Sequence, residues 1–283
     1  MENFTLEQIK EALESSGYIH EQRVADRLAA LGLQVEVNWI YTDSDEDKAR
    51  ELDVRAFMFN PASSGGGVAI ELLIECKSAT SPFILLAHDR FSSDKLRSPA
   101  HHAFPKPYYQ KHTRRDLRGV QHTVTELRPA YDHFSLYDVD PQTSGPLICT
   151  QFCRVARDGK KVAASHSDSY NSLVLPLAKA AGIRKKRWAS LRRGEGAGPV
   201  VTLVYPIALV GGRVLEARAL AEDVLLTDVG FGTLVRKFER YIDGDLFLSF
   251  VSSRSLEQFL QEVVFPYADA LRERIEASPE AFS

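Results

Sequence analysis

At 283 residues the chain is long enough to bury a full core, as one elaborated α/β domain or as two small ones. Apolar residues make up 44% and charged residues 26%, a globular composition, and no stretch reaches the unbroken apolar length that a membrane span needs. The net charge of −3 is silent about local basic surfaces, and three cysteines without a partner pair at ligand spacing indicate neither a disulfide framework nor a zinc site.

The opening MENFTLEQIK carries acids and an early helix, not a basic region followed by an apolar run, so export is disfavoured and a cytoplasmic location is expected. Thr5 and Gln8 make a capping box for a first helix, which Ser15, Ser16 and Gly17 interrupt before a second helix runs to Gly32. Leu33, Val35, Val37, Trp39 and Tyr41 alternate as in a half-buried strand, ended by the acidic tract around Asp43 to Asp47. ELDVRAFMF from Glu51 and VAIELLIECK from Val68 read as two more strands joined by a NPASSGGG loop.

Residues 79–165 mix Pro, His, Arg and aromatics and are expected to be an insertion, with a helix near Asp116 to Leu127 and a strand in PLICTQFCRV. Asp168 to Ala181 looks helical. VVTLVYPIALVGGRVLEARAL reads as a strand pair around Gly211 and Gly212, with Pro206 suggesting an edge or a bulge. Two further strands flank Asp243 and Gly244, a favoured turn pair, and Ser255 with Gln258 form a second capping-box candidate for the closing helix.

Several charges sit where apolar residues belong. Glu21 lies on the same helix face as Val24, Leu28 and Leu31. On the third strand Val68, Ile70, Leu72, Ile74 and Cys76 share one face, so Glu71, Leu73, Glu75 and Lys77 share the other. On the second strand Asp53 shares its face with Glu51 and Arg55, opposite Leu52, Val54, Ala56 and Met58, and the hairpin brings Asp53 beside Glu75. Taken singly, these residues also fit exposed salt bridges and a solvated helix carboxylate. Together, two converging carboxylates have a reason to coexist if they share a divalent cation.

In this arrangement the chain resembles the PD-(D/E)XK, or restriction-endonuclease-like, nuclease superfamily: Glu21 on a helix, Asp53 on a strand, then Glu75-Cys76-Lys77 on the next, with Leu52 where the family name places Pro. The resemblance covers roughly the first 80 residues, with the core motifs in 5–80. It implies a single elaborated domain over 1–283, an α/β fold with an αβββαβ core, and a central mixed sheet flanked by helices. The insertion at 79–165 and the remaining sheet and closing helix at 166–283 complete it.

The resemblance further implies a metal-dependent phosphodiesterase, expected to be a DNA endonuclease of restriction, phage-defence or repair type. Mg²⁺ would be held by Asp53, Glu75 and the Cys76 backbone carbonyl, with Mn²⁺ able to substitute. Lys77 would orient the attacking water and stabilise negative charge, and Glu21 would act through a water or a second ion. RNA- or structure-selective cleavage, a non-catalytic nucleic-acid-binding protein and an interaction subunit remain alternatives, and a homodimer or a separately encoded partner is compatible with the chain.

For a polyanion, IRKKRWASLRR offers Arg184, Lys185, Lys186, Arg187, Arg192 and Arg193 without an acid, with Trp188 as a stacking surface. A solvated helix end accounts for the same tract equally well. A second stretch, His101 to Arg115, has no metal-ligand spacing among its histidines and reads as a polyanion-contacting loop.

Overall fold

The computed structural model describes residues 4–43, 46–78, 80–191 and 198–282. In chain order its strands are β1 (Gln34–Asp43), β2 (Lys48–Pro61), β3 (Gly67–Lys77), β4 (Phe83–Asp89), β5 (Tyr108–Arg115), β6 (Gln121–Arg128), β7 (Leu147–Asp158), β8 (Lys161–Ser165), β9 (Val200–Val210), β10 (Val214–Ala219), β11 (Val224–Asp228), β12 (Phe231–Phe238) and β13 (Ile242–Ser252). Four longer helices matter most: α1 (Leu6–Ser16), α2 (Tyr18–Ala30), α3 (Leu175–Ser190) and α4 (Phe265–Ala277). Among the described residues no helix is long and apolar enough to cross a membrane.

The fold is α/β, built on one mixed sheet of 11 strands in the order β1-β2-β3-β9-β13-β12-β7-β4-β10-β11, with β8 paired to β7 off that path. β1, β2 and β3 form an antiparallel meander, and β9 then joins β3 in parallel, a pairing that needs a long crossover such as the one through α3. Alternation on β3 and β9 serves two cores. Val68, Ile70, Leu72 and Ile74 pack with Tyr205 and Ile207 beneath α2 and α4, whereas Leu73, Val204 and Ala208 pack beneath Leu177, Ala178 and Ala181 of α3. Strands buried on both faces read as continuous apolar runs, which is why VAIELLI carries its single acid so conspicuously.

The opening helices follow expectation. Thr5 and Gln8 form the reciprocal capping box, and Gly17 at φ +94° ends α1 in the left-handed conformation that suits glycine. Cys76, Cys149 and Cys153 are not joined in disulfides.

Five expectations need correction. The helix near Asp116 to Leu127 is instead β6, paired to β5 in a two-stranded ribbon apart from the main sheet. The β-branched run Thr123-Val124-Thr125 favours the strand, and the Asp116 carboxylate closes the turn by accepting from the Arg118 and Val120 N–H groups. β9 and β10 do not pair across Gly211 and Gly212; β9 lies between β3 and β13, and β10 between β4 and β11. Pro206 therefore sits inside the sheet. It is tolerated because β13 pairs with β9 only from Ile207 onward, while Thr202 and Val204, on the same side, donate to Ala103 O and His102 Nδ1.

Asp243 and Gly244 are not the β12–β13 turn but a bulge inside β13: Phe238 pairs with Ile242 and Lys237 with Asp245, leaving both residues unopposed. Ser255 makes no side-chain cap; it ends a short 3₁₀ turn, Ser253–Ser255.

Candidate active site

β3 carries two buried glutamates on the α3 face, and their surroundings differ. Glu71 is fully buried yet fully answered: Arg55 Nε donates to it at 2.6 Å, Trp188 Nε1 donates at 2.6 Å, and Arg184 pairs with it at 2.7 Å. Glu75, one β repeat pair further on, is 6% exposed and faces Asp53, another carboxyl group. A buried acid beside three donors is structural; a buried acid beside a second acid is unexplained by stability.

Asp53 reaches Glu75 because the sheet breaks locally. The β2–β3 pairing runs from Pro61↔Gly67 to Val54↔Ile74 and stops. In place of the next ladder bond, the Asp53 side chain accepts from the Cys76 N–H at 2.6 Å. Asn38, opposite Asp53 in the β1–β2 register, takes φ 53°, a left-handed turn within a strand. One consequence departs from the alternation read in the sequence. Leu52 packs with Tyr41 and Leu73 on the α3 side, whereas Val54 and Ala56 pack on the α2 side. The strand thus rolls over at Asp53, a residue that belongs to the seam and not to either face.

The Asp53 and Glu75 carboxyl groups face each other, and the Asp53 charge disfavours ionisation of Glu75. Burial first, then the Asp53 charge, push Glu75 up to about 8, with Lys77 pulling the other way. Burial also raises Asp53, opposed by the Cys76 N–H and by Lys77. Glu21, half-buried at the start of α2, is raised by burial, then by Asp53 and Glu51, and is drawn down by Lys77. The four residues singled out in the sequence, Glu21, Asp53, Glu75 and Lys77, therefore share one electrostatic neighbourhood. Gly17 lies at the α2 end of it: a Cβ there would sit in ordinary van der Waals contact, 3.7 Å from Glu21 Oε1 and 3.8 Å from Ser78 Oγ.

Two neighbours carried no signal in the sequence. His20, adjacent to Glu21, lies within 3.2 Å of Ser253 Oγ, and its pKa is lowered by burial, then by Arg27 and Arg23, with Asp53 opposing. Tyr41 is buried against the same centre: its hydroxyl donates to Pro176 O at 3.2 Å, and burial, then Glu75, raise its pKa. Both contacts join segments far apart in the chain.

The donor set can be tested for a cation. Among the described residues no group of three or more His, Cys, Asp or Glu side chains could hold a metal ion. Mg²⁺ does not need such a group, because it keeps several waters and binds through one or two carboxylates. Asp53 and Glu75 provide two hard carboxylates whose mutual repulsion a cation would relieve. The Cys76 carbonyl points to the same side as its N–H, toward Asp53, because one residue's backbone groups share a side of the strand. The residues fit. The Cys76 thiol is no ligand candidate, being buried with its pKa raised well above the usual value by burial.

The basic tract fares differently. Arg184 is buried against Glu71, with its guanidinium over the Trp39 and Trp188 rings, so Arg184 is an internal group and not a polyanion contact; Trp188 is half-buried, its Nε1 donating to Glu71. Lys185 is half-buried, its pKa lowered by burial against the opposing Asp243. Lys186 and Arg187 are exposed, and Arg192 and Arg193 lie outside the described residues. In the second stretch, His101 and His102 are buried and so cannot contact a polyanion. A cavity of about 570 Å³ lies away from the carboxylates, between Phe104, Tyr108, Tyr131 and Lys185; a cleft of about 360 Å³ lined by Gly211, Gly212, Arg213 and Arg254 adjoins the end of β3. Compared with protein-family models, with curated proteins and with solved structures, the chain matches none.

Proposed function

We propose that the protein is a Mg²⁺-dependent nuclease with a restriction-endonuclease-like core, hydrolysing phosphodiester bonds in DNA. One observation carries the reading: Asp53 interrupts the β2–β3 ladder to accept the Cys76 N–H and meets Glu75 there, with Lys77 next on the Glu75 face. The run α2, β1, β2, β3, α3, β9, with sheet order β1-β2-β3-β9, supports the αβββαβ core.

Asp53, Glu75 and the Cys76 carbonyl would hold the ion. When bound, Mg²⁺ supplies positive charge against the scissile phosphate and the departing oxygen. Lys77 orients the attacking water by hydrogen bonding and stabilises negative charge as it develops. Glu21 approaches from α2 and helps to position that water. His20 and Tyr41 lie within electrostatic reach of the carboxylates, His20 of Asp53 and Tyr41 of Glu75.

The test is incubation of wild type and Asp53→Asn with supercoiled plasmid, linear duplex, single-stranded DNA and structured RNA, each with Mg²⁺, Mn²⁺ or EDTA. DNA cleavage that needs the metal and is lost in the variant is the expected result. Equal cleavage by both proteins would refute the assignment of the site. Cleavage of RNA alone would move the substrate class, and metal binding without product would identify a non-catalytic nucleic-acid binder.

A further inference from the structure

The β5–β6 ribbon is the part of the molecule with no internal reason for its shape. It forms its own two-stranded sheet, and residues 109–127 include no buried side chain. An isolated hairpin of this kind is only marginally stable, so a ribbon held out without a core is suited to contact something else. Its tip is nevertheless ordered by the Asp116 carboxylate, which accepts from the Arg118 and Val120 N–H groups at 2.9 Å each.

Register assigns its two faces. His112 opposes Val124 and Gln110 opposes Glu126 on one face, with Arg128 at its base; Glu126 pairs there with Arg114 at 2.9 Å and with His112 at 3.5 Å, so part of that face's positive charge is taken up internally. On the other face lie Lys111, Thr113, Arg115, Gln121, Thr123 and Thr125, with Tyr109 and Leu127 toward the base. Every one of these residues is exposed, none is acidic, and neither Lys111 nor Arg115 makes an ion pair among the described residues.

We infer that this acid-free face is an arm that enters the major groove of duplex DNA. The two strands, about 4.8 Å apart and each spanning roughly 26 Å, fit a groove about 12 Å wide that admits a β-ribbon. Lys, Arg, Gln and Thr are the side chains that meet phosphates and base edges in that groove. A-form RNA is disfavoured because its major groove is too deep and narrow for side chains to read.

The inference deepens the nuclease reading and rests on it for its purpose, yet the arm and the carboxylate centre are separable. The segment leading into the ribbon bridges Ala103 to Thr202, whereas Glu75 pairs with Ala208, six residues along β9 and about 20 Å away. Substitutions on the exposed face therefore leave Asp53 and Glu75 undisturbed.

The experiment is fluorescence anisotropy with a labelled random-sequence DNA duplex of about 30 base pairs in EDTA, over a range of salt, with an RNA duplex of equal length alongside. The proteins are wild type, Lys111→Gln/Arg115→Gln, Arg115→Lys, and Lys186→Gln/Arg187→Gln, each checked by circular dichroism and thermal midpoint. Wild type binds DNA more tightly than RNA. The ribbon double variant loses roughly tenfold in affinity, and its salt slope falls by about two, while Arg115→Lys keeps the slope. A double variant indistinguishable from wild type overturns the inference, as does equal or tighter binding of RNA, absence of DNA binding, or a loss confined to the Lys186/Arg187 variant. Cleavage plays no part in this readout. A protein that binds through the ribbon without cutting leaves the arm standing, and one that cuts but ignores the ribbon leaves only the nuclease reading.

Discussion

Glu71 and Glu75 point to the same side of one strand, and both are buried, yet they should answer mutation in opposite directions. Glu71 compensates Arg55, Arg184 and the Trp188 N–H. Glu71→Gln leaves Arg184 as a buried, unmatched cation and should cost about 3 kcal/mol, the usual penalty for breaking a buried pair. Glu75 has a folded pKa raised from 4.5 to about 8, so the native state holds its proton more tightly than the unfolded chain. Its contribution to stability is therefore lost as pH rises from 4.5 toward 8, and at pH 7 it costs about 3 kcal/mol. Glu75→Gln should raise the urea midpoint of the metal-free protein at pH 7, with the gain vanishing near pH 4, while abolishing cleavage. A lower midpoint at pH 7 would show that Glu75 is held for structure and not for chemistry. The sequence made both glutamates visible as acids in an apolar run, but it could not separate them, because the donors that distinguish Glu71 come from β2 and α3.

Periodicity reveals an element when its partners are local or its burial is regular, and this governs which elements were legible. α1 with its capping box, α2, β1, β2 and β3 follow from alternation, helical stripes and Thr5–Gln8, all set by near neighbours. The seam at Asp53 was not legible as a change of face, since Leu52 and Val54 are both apolar and only the partner clusters reveal the roll. Gly211 and Gly212 were read as a hairpin turn because such pairs often mark one; here they permit close approach. A Cβ on Gly211 would lie 2.7 Å from Ser78 O, and the Gly211 N–H holds Lys77 O at 2.7 Å. Gly211→Ala should consequently displace the end of β3 that presents Lys77. Misplacing a reacting group by about 1 Å can cost up to about a hundredfold, so cleavage should fall at least tenfold. Parallel measurement of turnover and of circular dichroism checks this, and full activity in a folded Gly211→Ala protein would detach Lys77's position from the glycine.

Across the whole molecule, charge distribution was the least legible property, because burial reassigns it. Arg184 reads as one of a surface cluster and is an internal counterion; His101 and His102 read as a loop contact and are buried, with burial driving His102 down to about 3 and His101 well below its usual value. These reassignments shape the dependence of stability on pH. In the metal-free protein, Glu75 is the native group protonating up to about 8, so lowering pH from 8 to 6.5 stabilises the fold by about 2 kcal/mol. Below 6.5 the unfolded chain takes up protons on His101 and His102, which the native state keeps neutral, and on His20, whose native pKa is lowered, and this outweighs the single proton gained at Glu75. Asp140, raised by burial to about 6, then adds a second opposing carboxyl, so the acid limb flattens below about pH 6. Urea midpoints measured in EDTA should accordingly peak near pH 6.5, with the alkaline limb absent in Glu75→Gln. A midpoint that falls steadily from pH 8 to 6.5 would mean that Glu75 is ionised in the native state, and the buried carboxyl pair would then need a counterion from the protein itself.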